Sequence, residues 1–160
     1  LQISWPGKFE GGQRVAEAVS NVDAVATILD LAGIDLTKWD LDGQSLVPAL
    51  NGDTSGLNDI AISEHFAHGT DRPLGMVRSG NWKLCYGHGD PVEIELYDLD
   101  ADPGEFTNLA GAQEHSAVQE RLLKILLDQW GDPDALTAKI VRDQEDREIV
   151  RNVTGVGTIF

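Results

Sequence analysis

Gly75-Met76-Val77-Arg78-Ser79-Gly80-Asn81-Trp82-Lys83-Leu84-Cys85-Tyr86 is the stretch that decides the fold class. Two short runs rich in strand-forming residues flank Ser79-Gly80-Asn81, a turn sequence, and the combination predicts a β-hairpin. Upstream, residues 59–66 alternate Ile60 and Ile62 against Ala61 and Ser63, the period of a strand with two unlike faces. Downstream, 93–99 puts Ile94, Leu96 and Asp98 on one side and Tyr97 and Leu99 on the other. Connections this short cannot carry a parallel crossover, so the segments predict a small antiparallel sheet of about four strands.

From Ser116 the period becomes helical. Ser116-Ala117-Val118-Gln119 has the form of a capping box. Val118, Leu122, Ile125 or Leu126, and Gln129 or Trp130 then make one apolar stripe, long enough to cover a sheet face. The fold class is α+β. Gly131-Asp132-Pro133 ends this helix, and residues 134–152 form a second candidate, highly charged, with a sparse apolar set of Leu136, Ile140, Ile149 and Val153. Such a face is either solvated or turned towards a partner.

Before the sheet, residues 1–5 alternate like a strand and end at Pro6-Gly7. The chain opens inside this apolar run, which reads as a cut rather than a natural start. Ser20 and Asp23 flank a helix start. Val22, Val25, Leu29 and Ala32 follow at helical spacing as an expected core-facing stripe, and Gly33 is the stop signal. Residues 45–50 fit one short helical turn.

Charge narrows the function classes. The 160 residues hold 12 Lys and Arg against 27 Asp and Glu, a formal net charge of -15, which leaves no electrostatic footprint for nucleic acid and disfavours anionic lipid. The acids are weighted to Asp, 17 against 10 Glu, with only 5 Lys, a pattern suited to solubility in high salt. No apolar run approaches the roughly 20 residues of a membrane helix. The single cysteine, Cys85, permits no internal disulfide and so no stapled scaffold.

Motifs that carry chemistry are sparse. Asp98-Leu99-Asp100-Ala101-Asp102 opens like a calcium loop, but Pro103 stands where that loop needs Gly and Leu109 where it needs Glu, so Asp102-Pro103-Gly104 reads as a turn. Cys85 and His88, with His65 and His68, lack the paired spacing of a zinc site, and Cys85 in an alternating strand reads as a packed thiol. No Gly-x-Ser-x-Gly elbow is present, and Glu10-Gly11-Gly12-Gln13-Arg14 is too poor in glycine to cradle phosphate.

Five blocks in order resemble the C-terminal third of the arylsulfatase-like enzymes of the alkaline phosphatase superfamily. They are Ile3-Ser4-Trp5-Pro6-Gly7-Lys8; Ser20-Asn21-Val22-Asp23 running to Ile28-Leu29-Asp30-Leu31-Ala32-Gly33; Leu41-Asp42-Gly43-Gln44-Ser45-Leu46; Met76 to Leu84; and Glu95-Leu96-Tyr97-Asp98-Leu99 with Asp102-Pro103-Gly104-Glu105 and Asn108-Leu109-Ala110. The tail from Asp143 to Arg151 is similar to the extended tails of choline-sulfatase-like members. The resemblance implies that 1–56 ends an α/β catalytic domain, that 57–131 is the C-terminal sheet with its helix, and that 132–160 is a polar helical tail.

It also implies a sulfuric ester hydrolase whose essentials lie outside these residues. The family's nucleophile is a formylglycine from a Cys/Ser-x-Pro-x-Arg motif, and its divalent metal, usually calcium, is held by acids and an Asn further upstream. Cys85 is followed by Tyr86-Gly87-His88-Gly89 and does not match that motif. Phe9-Glu10-Gly11-Gly12 resembles the family's Glu-Gly-Gly stretch but follows Trp-Pro-Gly instead of preceding it, so it reads as loop. The resemblance places Glu64, and secondarily His65, beside the non-sulfate end of a small sulfate ester. A carboxylate next to an aromatic ring suits a quaternary ammonium there. Arg78 and Lys83 read as hairpin surface charges. Two other readings remain open at this point: a phosphodiesterase or phosphonate monoester hydrolase of the same superfamily, and a non-catalytic module that makes a homo-oligomer through 134–152.

Overall fold

A computed structural model describes residues 1–67 and 69–154. The chain divides into two compact units, one of residues 1–61 with 78–80, the other of residues 62–77 and those from Asn81 onward.

The second unit carries most of the sheet. Strands β1 (Ile60–His65), β2 (Leu74–Ser79), β3 (Trp82–Gly87) and β4 (Glu93–Asp98) lie side by side in chain order. Gly80 takes a φ of +58° in the tight β2–β3 turn, where a side chain would be strained. β3 and β4 run antiparallel with Leu84 opposite Leu96 and Cys85 opposite Glu95. Opposed residues share a face, so Leu84 and Leu96 point one way, and Lys83, Cys85, Glu95 and Tyr97 the other.

Helix α3 (Ser116–Trp130) closes the first face. Val77, Leu84 and Leu96 from the strands and Leu122 and Leu126 from α3 are fully buried and form the core. Gly75 is required here: a Cβ on it would sit 2.6 Å from Trp130 and 2.8 Å from Leu126. The predicted α3 stripe is therefore the packed one. The capping box is not formed, because a 3-10 turn at Gln113–His115 leads straight into the helix and Ser116 already has helical backbone angles. An N-cap needs an extended residue; Ser116 Oγ instead donates to the Gln113 carbonyl, and Gln119 accepts from Gly111 N–H.

The edge of β4 is covered by a side chain. Asn108 Oδ1 accepts from Leu96 N–H at 3.0 Å, its Nδ2 donates to the Ile94 carbonyl at 3.1 Å, and Leu109 N–H donates to the Leu96 carbonyl at 2.9 Å. One amide thus imitates a fifth strand on groups that an open edge would leave to other chains. Asn108→Ala is expected to cost about 0.5–1.5 kcal/mol for each hydrogen bond lost, read as a lower urea midpoint, and Asn108→Asp, which keeps only the acceptor, should fall between.

Helix α4 (Pro133–Thr154) continues the unit. Ile140 is buried and Gln144 donates to the Thr70 carbonyl, whereas Ile149, Val150 and Val153 are exposed. The charged helix expected over 134–152 is present; its apolar set is split, with the N-terminal half docked.

The first unit holds α1 (Asp23–Leu31), a 3-10 turn at Leu36–Lys38 and α2 (Val47–Leu50). Two expectations fail here. Residues 1–5 join no ladder: Lys8 and Phe9 N–H both bond the Trp5 carbonyl, turning the chain back, and alternation makes no strand without a neighbouring backbone. The expected core stripe of α1 is also misplaced, since Val22 and Val25 are about half exposed, 47% and 55%, and the buried face is Asp23, Ala26 and Thr27.

Polar bonds to a distant loop explain this. Asp23 accepts from Ser20 and Gln44 N–H at 2.7 and 2.9 Å, Thr27 Oγ1 accepts from Leu46 N–H at 2.9 Å, and Ser45 donates to Asp30. Residues 23, 27 and 30 share one side of a 3.6-residue helix. Gly43 permits the approach, because any Cβ on it would overlap the Val22 carbonyl.

Candidate functional site

Glu64 is the penultimate residue of β1, and its carboxylate stands exposed at the sheet end. Its Oε1 accepts a 2.7 Å hydrogen bond from the indole Nε1–H of Trp130, the last residue of α3. Trp130 meets the Phe66 ring edge-on at 5.7 Å between centroids and lies 5.8 Å from the tilted Tyr86 ring. The notch at Gly75 gives the indole its seat.

The cluster extends beyond the indole. Tyr86 is buried, and its hydroxyl lies 3.0 Å from His88 Nδ1, while His88 Nε2 lies 2.7 Å from Asp134 Oδ1 at the start of α4. Burial, with the Asp134 charge added, raises the Tyr86 phenol above its ordinary pKa. Tyr86 is thus a neutral hydrogen-bonding post rather than a base at neutral pH.

Beside Glu64 runs an open groove of about 320 Å³, lined among others by His65, Met76, Cys85, Glu93 and Glu95. Adjacent strand residues alternate, so Glu64 and His65 serve opposite faces of β1 while both border the groove. Arg72 pairs with Glu93 at 2.9 Å. Burial raises the Cys85 pKa, and although the Lys83 charge opposes this, the thiol stays protonated at neutral pH and is a poor nucleophile.

Lys83 is not the surface charge expected of it. It is half-buried and bonds Glu105 at 2.5 Å. Burial works against its charge, but the Glu105 carboxylate prevails and the ammonium pKa is raised. Arg78 donates to the Gly80 and Ala16 carbonyls, a structural role.

The other candidates resolve into turns. Asp98 accepts from Asn81 Nδ2 at 2.7 Å and from the Asp100 and Ala101 N–H groups. These bonds, the Asn81 amide foremost, hold its carboxyl below the usual range. Asp102 accepts from Thr107 N–H. Among the described residues no group of three or more His, Cys, Asp or Glu is arranged to hold a metal ion. His68 lies outside the described residues. What the sheet end brings together is an anionic group and aromatic rings.

An α+β fold of this kind matches one family over most of its length. Residues 1–132 match the family described as N-sulphoglucosamine sulphohydrolase, C-terminal, and the chain belongs to it. The chain is similar to the choline-sulfatase of Rhizobium meliloti (strain 1021), 37% identical over 167 residues, covering all of this chain and 31% of that protein. It is 29% identical over 162 residues to the N-acetylglucosamine-6-O-sulfatase of Bacteroides thetaiotaomicron, covering 95% of this chain and 29% of that one. A structure solved in complex with its substrate D-glucosamine-2-N,6-O-disulfate superposes with a TM-score of 0.60 at 29% identity, over 71% of this chain and 25% of that one. A 2-O GAG sulfatase gives 0.54 at 32% identity, over 65% and 22%. The chain spans about a third of the length of the first two relatives, 31% and 29%.

Sequence reasoning singled out Glu64 and His65 but missed Trp130 and Tyr86. The separation of Glu64 from Trp130 by 66 positions hides the pair from any local pattern. The signal available was Gly75, a glycine inside a strand, which marks close approach by another group.

Proposed function

We propose that these residues are the C-terminal part of a sulfatase-like hydrolase that cleaves small-molecule sulfate esters. In this reading residues 1–56 end its catalytic domain, 57–131 are its C-terminal sheet and helix, and 132–160 its tail. The formylglycine nucleophile and the divalent metal, calcium, belong to the N-terminal part. What carries the reading is the match to choline-sulfatase along the whole chain, joined to the C-terminal sulfatase family match over residues 1–132. The protein read from the frame upstream of Leu1 is expected to release sulfate when a divalent metal is supplied. Residues 1–160 purified alone are expected to release none, and metal-dependent turnover by them would refute the division of labour.

Within that enzyme Glu64, with His65 beside it, contacts the non-sulfate end of the substrate. The supporting geometry is an exposed carboxylate bonded to the edge of the Trp130 indole, with the Phe66 ring against that indole, and full charge close to aromatic rings favours an organic cation. Glu64→Gln in the complete enzyme is expected to raise KM for a cationic sulfate ester about tenfold, near 1.4 kcal/mol, with kcat little changed and neutral esters unaffected. Equal KM values for the two ester classes before and after the substitution would remove Glu64 from the site.

A further inference from the structure

We infer that Trp130 is a positioning residue for Glu64: its indole N–H holds the carboxylate at the sheet end in the orientation in which it meets substrate. The inference rests on the reading of Glu64 as a substrate contact and adds the group that makes that contact specific.

The geometry supports it from three sides. An exposed glutamate has three rotatable bonds and, left alone, spreads its charge over many positions. Here one oxygen is fixed by a 2.7 Å bond to an indole, while Oε2 makes no part of that bond. The indole itself is not free to follow the carboxylate. It is bounded by Phe66 and Tyr86 and seated over Gly75, where a Cβ would come within 2.6 Å of its Cζ2. Tyr86 is steadied in turn by His88, itself bonded to Asp134. Restraint thus passes from the packed core to an exposed charge, and the ring N–H donor at the end of α3 supplies the last link. Phenylalanine would keep an aromatic ring at the end of α3 and release the carboxylate.

The contact is tested first without turnover. In the indole region of a ¹H–¹⁵N spectrum, the Trp130 signal, assigned by its loss in Trp130→Phe, is expected to move upfield in Glu64→Ala and its proton to exchange faster with solvent. An indole signal indifferent to Glu64→Ala overturns the inference whatever the fate of the substrate reading.

The second arm uses the complete enzyme. Trp130→Phe is expected to raise KM for a cationic sulfate ester about threefold to tenfold at nearly constant kcat. Glu64→Asp, which keeps the charge but draws it back from the indole, should do the same at an exposed position where folding is not at stake. The two effects should not add in the double variant, since both break one contact. Additive effects, or a Trp130→Phe KM equal to that of the parent while Glu64→Gln is impaired, overturn the positioning role. If the indole responds to Glu64 and yet Glu64→Gln leaves both ester classes unchanged, the substrate contact fails, and with it the function assigned to the pair.

Discussion

Asp23→Ala is expected to destabilise the first unit by about 1–3 kcal/mol for each backbone donor it orphans. The side chain is 5% exposed, and both carboxylate oxygens are used, Oδ1 by Gln44 N–H and Oδ2 by Ser20 N–H. Alanine removes both acceptors and leaves two largely buried backbone donors without their partner. The favourable placement of a negative charge in the first turn of α1 is lost as well. Asp23→Asn retains one oxygen and turns its NH₂ towards the other donor, so it should recover only part of the loss. Amide hydrogen exchange reads the effect directly: each 1.4 kcal/mol appears as about a tenfold faster rate at Gln44 and Ser20. Unchanged rates at both amides would mean that the loop is held by Thr27 and Asp30 without Asp23.

The same residue shows where local patterns stop being informative. Val22, Val25, Leu29 and Ala32 have the spacing of a buried stripe, and on spacing alone they outrank a face containing Asp23, Thr27 and Asp30. The polar face is nevertheless the docked one, because its partners are the N–H groups and the hydroxyl of Gln44, Ser45 and Leu46, 15 to 21 positions away. Hydrophobic periodicity reports transfer from water but is blind to which backbone groups arrive from elsewhere. Gly43 was the available clue, its lack of a side chain letting the loop meet Val22.

The sheet was legible for the opposite reason. Its strands are joined by short turns, so Ile60–His65, Leu74–Ser79, Trp82–Gly87 and Glu93–Asp98 are specified by alternation and by the Gly80-Asn81 turn, all local signals. α3 was legible too, as Leu122 and Leu126 lie four apart on one face. Residues 1–5 mark the limit, for the alternation there is real and makes no ladder. For the site, residue type carried Glu64 part of the way, because a carboxylate followed by Phe66 at a strand end is visible in sequence. That the ring bonded to Glu64 is Trp130 is a product of packing α3 across the sheet.

Leu84→Ala is expected to have the largest effect of any substitution considered, about 2–5 kcal/mol, as a fully buried side chain is cut back to a methyl and leaves a cavity. Against a total stability of about 5–15 kcal/mol for an ordinary domain, that loss puts folding itself in question. Leu84→Met, which nearly conserves volume, should cost less than about 1.5 kcal/mol, so the pair separates cavity formation from a general intolerance of change. Phe106 is the natural control: it is as apolar as Leu84 but 91% exposed, and Phe106→Ala should stay within about 0.5 kcal/mol. Urea unfolding of the three variants checks the order, and a Leu84→Ala midpoint level with that of Phe106→Ala would show that the sheet and α3 do not share a core. The consequence reaches the sheet end. Leu84 and Tyr86 lie on the same face of β3, the face under α3, and Tyr86 flanks the indole that holds Glu64. A cavity at Leu84 therefore loosens Trp130 from below, and the Trp130 indole proton should exchange faster in Leu84→Ala than in Leu84→Met even under conditions where both remain folded.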